Sequence, residues 1–138
     1  MIVKNYEIKN YLDTKNIFLF YGENVGQKEE VLNNCFRKNF SNSTYVYDEK
    51  TIRNNLEEFY SQITSKSFFE SKKLIIVNDI SEKITEEVKI ILEKNIDDLT
   101  LVLQTGILEK KSKLRNFFEK EKDLVIVPFY RDNSKSLS

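Results

Sequence analysis

The sequence predicts an α/β domain: a five-stranded, mainly parallel sheet with helices on both faces, of the doubly wound, P-loop-like kind. Two observations carry this. Five short apolar runs are continuous rather than alternating, which is the pattern of strands buried on both faces. Between them lie stretches whose apolar residues recur at helical spacing.

The elements follow in order. A short N-terminal helix is expected around Asn5 to Thr14. Ile17 to Tyr21 (IFLFY) is the first strand and ends at Gly22. Val31, Leu32, Cys35, Phe36 and Phe40 form the first helical stripe, with Cys35 expected as a buried structural thiol. Tyr45-Val46-Tyr47 is a short β-prone run. Ile52, Leu56, Phe59, Tyr60 and Ile63 make one helical face at i, i+4, i+7, i+8 and i+11. Leu74 to Val77 is the third strand, and Ile84, Val88, Ile91 and Leu92 the next helix. Leu99 to Leu103 is strand-like, Leu114, Phe117 and Phe118 mark a helix in a charged stretch, and Leu124 to Val127 is the last strand. Residues 1–130 are read as one domain, and the polar 131–138 as a tail or the start of a linker.

Composition narrows the chemistry. The 138 residues hold no His, one Cys (Cys35), and 22 basic against 22 acidic side chains, for a formal net charge of zero. Imidazole acid–base catalysis, Cys–His pairs, His metal sites and an intramolecular disulfide are thereby excluded, and no metal or cofactor is expected. Neutrality argues against a globally basic nucleic-acid domain. No apolar run approaches the roughly 20 residues of a membrane span, and Met1 to Glu7 lacks the order of a signal peptide, so the expected location is the cytoplasm.

Three segments are candidate sites. The first strand runs into Gly22-Glu23-Asn24-Val25-Gly26-Gln27-Lys28 and then a helix, where a phosphate loop sits in nucleotide-binding α/β domains. That loop needs four residues between its glycines, Lys directly after the second, and then Ser or Thr. Here three residues separate Gly22 and Gly26, Gln27 precedes Lys28, and Glu29 takes the hydroxyl position. The loop is read as a degenerate strand-to-helix turn that does not bind ATP. A divergent ATPase using Lys28 and Asp79 is the alternative, although a lone Asp after a buried strand is commonly a cap or turn residue. The second segment is Ser65 to Lys72, where Phe68 and Phe69 interrupt a polar connection. Two readings stand for this pair. It folds back onto the core, as buried Phe commonly does, which composition slightly favours; or it is exposed and anchors a partner. The third is the Lys110 to Lys122 stretch, with Arg115. Glu109, Glu119 and Glu121 interrupt it, so it is read as a solvated helix face, with direct DNA binding as the alternative.

Taken in order, these residues resemble a family. Ile17 to Glu23, then Ser67-Phe68-Phe69-Glu70-Ser71-Lys72-Lys73 followed by Leu74 to Val77, then Leu99 to Leu103, Lys110 to Leu114 and Val125 to Phe129, are similar to the N-terminal domain of the delta subunit of bacterial DNA polymerase III, part of the sliding-clamp loader. The resemblance covers nearly the whole chain. It implies an AAA+-like fold without ATP hydrolysis. It implies a hydrophobic pair, here Phe68 and Phe69, with Ser67 and Thr64 beside it, that enters a pocket of the beta sliding clamp and helps open the ring. Some members carry Gln where this chain has Thr64, and the first of the pair is often Leu where this chain has Phe68. It further implies other loader subunits as partners through regions beyond this chain, DNA contact at most indirect or weak, no membrane, and a nucleoid-associated replication role.

Overall fold

The structure is a computed structural model that describes residues 1–40, 44–64, 72–96 and 98–130. Ser67, Phe68, Phe69 and the 131–138 tail lie outside the described residues.

Five strands, β1 (Ile17–Tyr21), β2 (Thr44–Asp48), β3 (Lys73–Asn78), β4 (Leu99–Gln104) and β5 (Leu124–Pro128), form one sheet in the order β2-β3-β4-β1-β5. Every strand pair is parallel. β1 sits inside the sheet, with Ile17 opposite Leu101 of β4 on one side and Leu124 of β5 on the other. The continuous apolar runs resolve into two alternating sets, as a pleated strand requires. Leu19, Ile75, Leu101 and Ile126 face one layer, while Phe18, Phe20, Leu74, Ile76 and Val125 face the other.

The first layer holds α2 (Glu49–Asn54), α3 (Leu56–Thr64), α4 (Ile84–Lys94) and α5 (Lys113–Lys120), which contribute Ile52, Phe59, Ile63, Val88, Ile91, Leu114 and Phe118 to its core. The second is thinner. It is built from a 3-10 turn at Asn5–Tyr11, α1 (Val25–Val31) and the π-helical turn Leu32–Phe36 that follows it. Phe36 meets Phe18 edge-on at 5.1 Å and Phe20 at 5.9 Å. The outer edge of β5 is not left bare. Val3 donates to the Ile126 carbonyl, and Ile126 donates to that of Met1, each at 3.0 Å, which covers an edge that would otherwise pair with other chains.

Two predicted helices differ in the structure. The stripe from Val31 to Phe40 is not one α-helix: α1 ends at Val31, a π turn follows, and a 3-10 turn (Arg37–Asn39) completes it. In the π turn the Arg37 N–H bonds the Leu32 carbonyl, one residue further back than in an α-helix. That offset accompanies the burial of Leu32, Cys35 and Phe36 together. The face from Ile52 to Ile63 is split at Asn55. The Asn55 side chain accepts from the Glu58 N–H at 3.1 Å and donates to the Glu58 carboxylate at 2.9 Å, so it starts a new helix as a cap.

Candidate functional site

The carboxyl ends of parallel strands form a crevice where α/β folds place their ligands. Here that crevice is about 600 Å³ and is lined by Gly22, Glu23, Lys28, Asp79, Thr105 and Gly106, among others. Its size is that of a small-molecule site, so its chemistry decides what it can hold.

Gly22 leaves β1 at φ +114°, in the region that side chains rarely adopt. A Cβ there would lie 2.1 Å from the Phe129 carbonyl oxygen. The turn is pinned from two sides: Gly22 N–H donates to Gly106 O at 2.8 Å, and Asn24 N–H to Phe129 O at 3.1 Å. Asn24 also caps α1, accepting from Gln27 N–H at 3.0 Å. At Gly26 the nearest atom to such a Cβ is Asn24 Oδ1 at 3.9 Å, an ordinary contact, so Gly26 carries no such constraint.

Lys28 is only 6% exposed. It does not point out to solvent. Its ammonium donates to the Gly22 carbonyl at 2.6 Å and the Thr105 carbonyl at 2.5 Å, bridging the ends of β1 and β4. Burial pushes its pKa down. The residue that neutralises phosphate in a working loop is here bonded to peptide oxygens. Glu23, Glu29 and Asp79 add three carboxylates to the same lining. Asp79 occupies a left-handed turn at φ 54° directly after β3, while Gln104 bonds its neighbour Asn78 at 2.6 Å.

Thr64 lies towards the opposite end of the strands, two residues after Gln62, whose carbonyl meets Lys73 at the start of β3. It is the last residue of α3, exposed, and its hydroxyl donates back to Tyr60 O at 2.8 Å. β3 starts at Lys73. The two described ends that flank 65–71 are therefore at the amino ends of the strands, about 17–20 Å, one strand length, from the crevice. The structure brings Gly22 and Lys28 together and sets Thr64 apart from them.

Sequence reasoning passed over Lys73. It is 6% exposed, and its ammonium donates to Gln62 O at 2.7 Å. The available signal was a Lys opening an otherwise apolar run. The basic stretch around α5 is partly engaged: Arg115 bonds Glu119 at 2.9 Å and the Leu108 carbonyl at 2.9 Å, and stacks over Tyr21 at 5.2 Å. Lys110, Lys111, Lys113, Lys120 and Lys122 are exposed. Among the described residues no three metal-ligating side chains cluster, and no helix is long and apolar enough to cross a membrane.

No curated protein matches the chain. Among solved structures it is similar to the Bacillus subtilis DNA clamp loader delta protein, with a TM-score of 0.68 at 14% identity, over 96% of this chain and 44% of that one. That likeness establishes the fold, and the chain spans less than half of that relative's length. A family model described as DNA polymerase III, delta subunit, matches residues 18–128, from the second residue of β1 to the end of β5. The chain belongs to the DNA polymerase III delta subunit family.

Proposed function

We propose that this chain is the clamp-binding domain of a clamp-loader delta subunit, and that Phe68 and Phe69, flanked by Ser67 and Thr64, enter a pocket of the beta sliding clamp. The carrying observation is the family match across residues 18–128, which spans the segment with the aromatic pair. In this reading residues 1–130 are the N-terminal domain of a longer subunit, and 131–138 lead onward. Other loader subunits engage the regions beyond, DNA is met indirectly, and the work is done in the cytoplasm.

The task is mechanical rather than chemical. A wedge opens a ring only by binding its open form more tightly than its closed form. No nucleotide is needed for that, and the state of Lys28 supports a domain that does not hydrolyse ATP. Its ammonium already has two carbonyl partners, and a phosphate entering the crevice would meet the carboxylates of Glu23 and Asp79, while Glu29 is paired with Arg37 at 2.8 Å.

The test is binding of the chain to a beta clamp by surface plasmon resonance, with Phe68→Ala/Phe69→Ala alongside. Buried aromatic anchors at interface centres each contribute about 2 kcal/mol or more, so the double variant is expected to lose about 1,000-fold in affinity. It should retain the wild-type circular dichroism spectrum. A folded wild type that ignores the clamp would sink the proposal. A double variant that unfolds would make the pair part of the core and remove the site assignment.

A further inference from the structure

We propose that the α-amino group of Met1 is a modification site to which the fold responds: the carbonyls of Phe118, Glu121 and Leu124 form a seat for a free primary ammonium, and an acyl group on that nitrogen unseats residues 1–3 from the edge of β5.

Three backbone oxygens converge on one nitrogen. The Met1 ammonium donates to the Phe118 carbonyl, to that of Glu121 at 3.0 Å and to that of Leu124 at 2.9 Å. An ammonium has three N–H groups, so each has its own acceptor. Phe118 lies in the last turn of α5, Glu121 caps that helix, and Leu124 opens β5. The last carbonyls of an α-helix have no partner inside it, and the negative end of the helix dipole lies there, so a cation suits this place. The Glu121 carbonyl also accepts from the Leu124 N–H at 3.3 Å, which ties two walls of the seat together. Burial pushes the pKa of the amine down; the carboxylates of Glu119 and Glu121 pull it up, and Lys15 opposes them. An ammonium held where burial disfavours it depends on its hydrogen bonds.

The seat is also the first rung of a ladder. Met1 donates to Leu124 and accepts from the Ile126 N–H at 3.0 Å, and the Val3 N–H donates to the Ile126 carbonyl at 3.0 Å. Val3 is buried and Ile2 exposed, the alternation of a strand.

Acylation by an activated acyl donor forms an amide bond at this nitrogen, expels the donor's leaving group and takes two protons from the ammonium. One N–H and no charge remain. That N–H can still serve Leu124, in line with the ladder. The acyl carbon then replaces an N–H aimed at the Phe118 or Glu121 oxygen. The Glu121 oxygen is only 3.0 Å from the nitrogen, so a carbon bonded in that direction falls well inside contact distance. Residues 1–3 must therefore shift, and the β5 edge opens.

Hydrogen exchange followed by NMR, on the free-amine chain and on the same chain acetylated at Met1, tests this. The amides of Val3 and Ile126 are expected to exchange at least about tenfold faster in the acetylated chain, with that of Val102 in β4 unchanged. Equal protection of Val3 and Ile126 in the two chains would overturn the proposal. If the acetylated chain does not fold, the free-amine chain alone decides. Its Met1 nitrogen is labelled with limiting acetic anhydride in buffer and in urea, with the exposed Lys110 and Lys120 as internal standards, and the peptides are quantified by mass spectrometry. Labelling relative to the lysines that is at least about tenfold slower in buffer than in urea supports the seat, and equal ratios refute it. The lowered pKa would by itself speed labelling, so a slowing reports the seat rather than protonation. A chain purified from its own cells with an acyl group on Met1, or with a residue before it, would also overturn the proposal, because the seat would then hold no ammonium.

Discussion

At Gly22 two pieces of backbone pass closer than any side chain allows. Replacing it by Ala would place a methyl 2.1 Å from the Phe129 oxygen and hold a non-glycine residue at φ +114°. Both effects oppose the native turn, and a loss of about 3 kcal/mol or more is expected, read as a large fall in melting temperature. Gly26→Ala is the internal control. It sits in α1 with room for a Cβ, whose nearest neighbour would be Asn24 Oδ1 at 3.9 Å, and there Ala should be neutral or stabilise by up to about 1 kcal/mol. Equal effects at the two positions would refute the crowding argument. Lys28 depends on the same turn, because one of its two carbonyl partners is Gly22 itself. A distorted turn would therefore also leave a buried ammonium short of a partner, a cost separate from the clash.

Among the elements, α5 shows how a charge from a distant loop starts a helix. Glu82 accepts from the Ser112 hydroxyl at 2.6 Å and from the Leu114 N–H at 3.0 Å. Burial pushes its carboxyl up, but the hydrogen bonds from Ser112, Leu114 and Lys113 together outweigh that and hold it below the usual carboxylate range. A folded pKa below the unfolded one means that Glu82 stabilises the fold above the unfolded value, and that this contribution fades as pH falls through the folded value. Asp48 behaves with the same sign at the start of α2, where it accepts from Thr51 N–H at 2.8 Å. Glu82→Gln should lower stability at pH 7 by about 1 kcal/mol, the size of a lost cap, and should flatten the decline of stability towards acid. Urea titrations from pH 7 to pH 3 check it; an unchanged pH profile would show that the carboxylate does not matter. The strands were legible almost residue for residue, because burial on both faces leaves a continuous apolar run such as Ile17 to Tyr21. The break at Asn55 could have been read from Asn-Leu-Glu-Glu, a cap with Glu three residues on, but the apolar face continues across it and hides the signal. The π turn at Leu32–Phe36 was out of reach, since its occasion is a pair of rings on β1. At the crevice, the defective spacing around Gly26 and Lys28 was visible, whereas the carbonyl of Thr105, 77 positions away, was not. Phe68 and Phe69 stand on the family pattern, outside the described residues.

For the molecule as a whole, the order β2-β3-β4-β1-β5 grades protection across the sheet. β3, β4 and β1 are each flanked on both sides, and β1 is buried throughout, while β2 is a half-exposed edge with Val46 open to solvent. Native-state hydrogen exchange should find the slowest amides in the interior strands β1, β3 and β4 and faster ones in β2. Uniform protection across all strands would instead indicate that the sheet opens only as one unit. The same order has a consequence for the birth of the chain on the ribosome. β1 leaves the ribosome ahead of every other strand, yet its neighbours are the last two made: Ile17 finds Leu101 and Leu124. At about 5–20 residues per second, some 84 positions of synthesis separate Ile17 from Leu101, or roughly 4 to 17 s. Throughout that interval an apolar segment that the fold buries completely, Phe18-Leu19-Phe20, is outside the ribosome without its sheet. That interval is the chain's period of greatest exposure to aggregation, and a chaperone that shields nascent apolar segments would have its clearest target there.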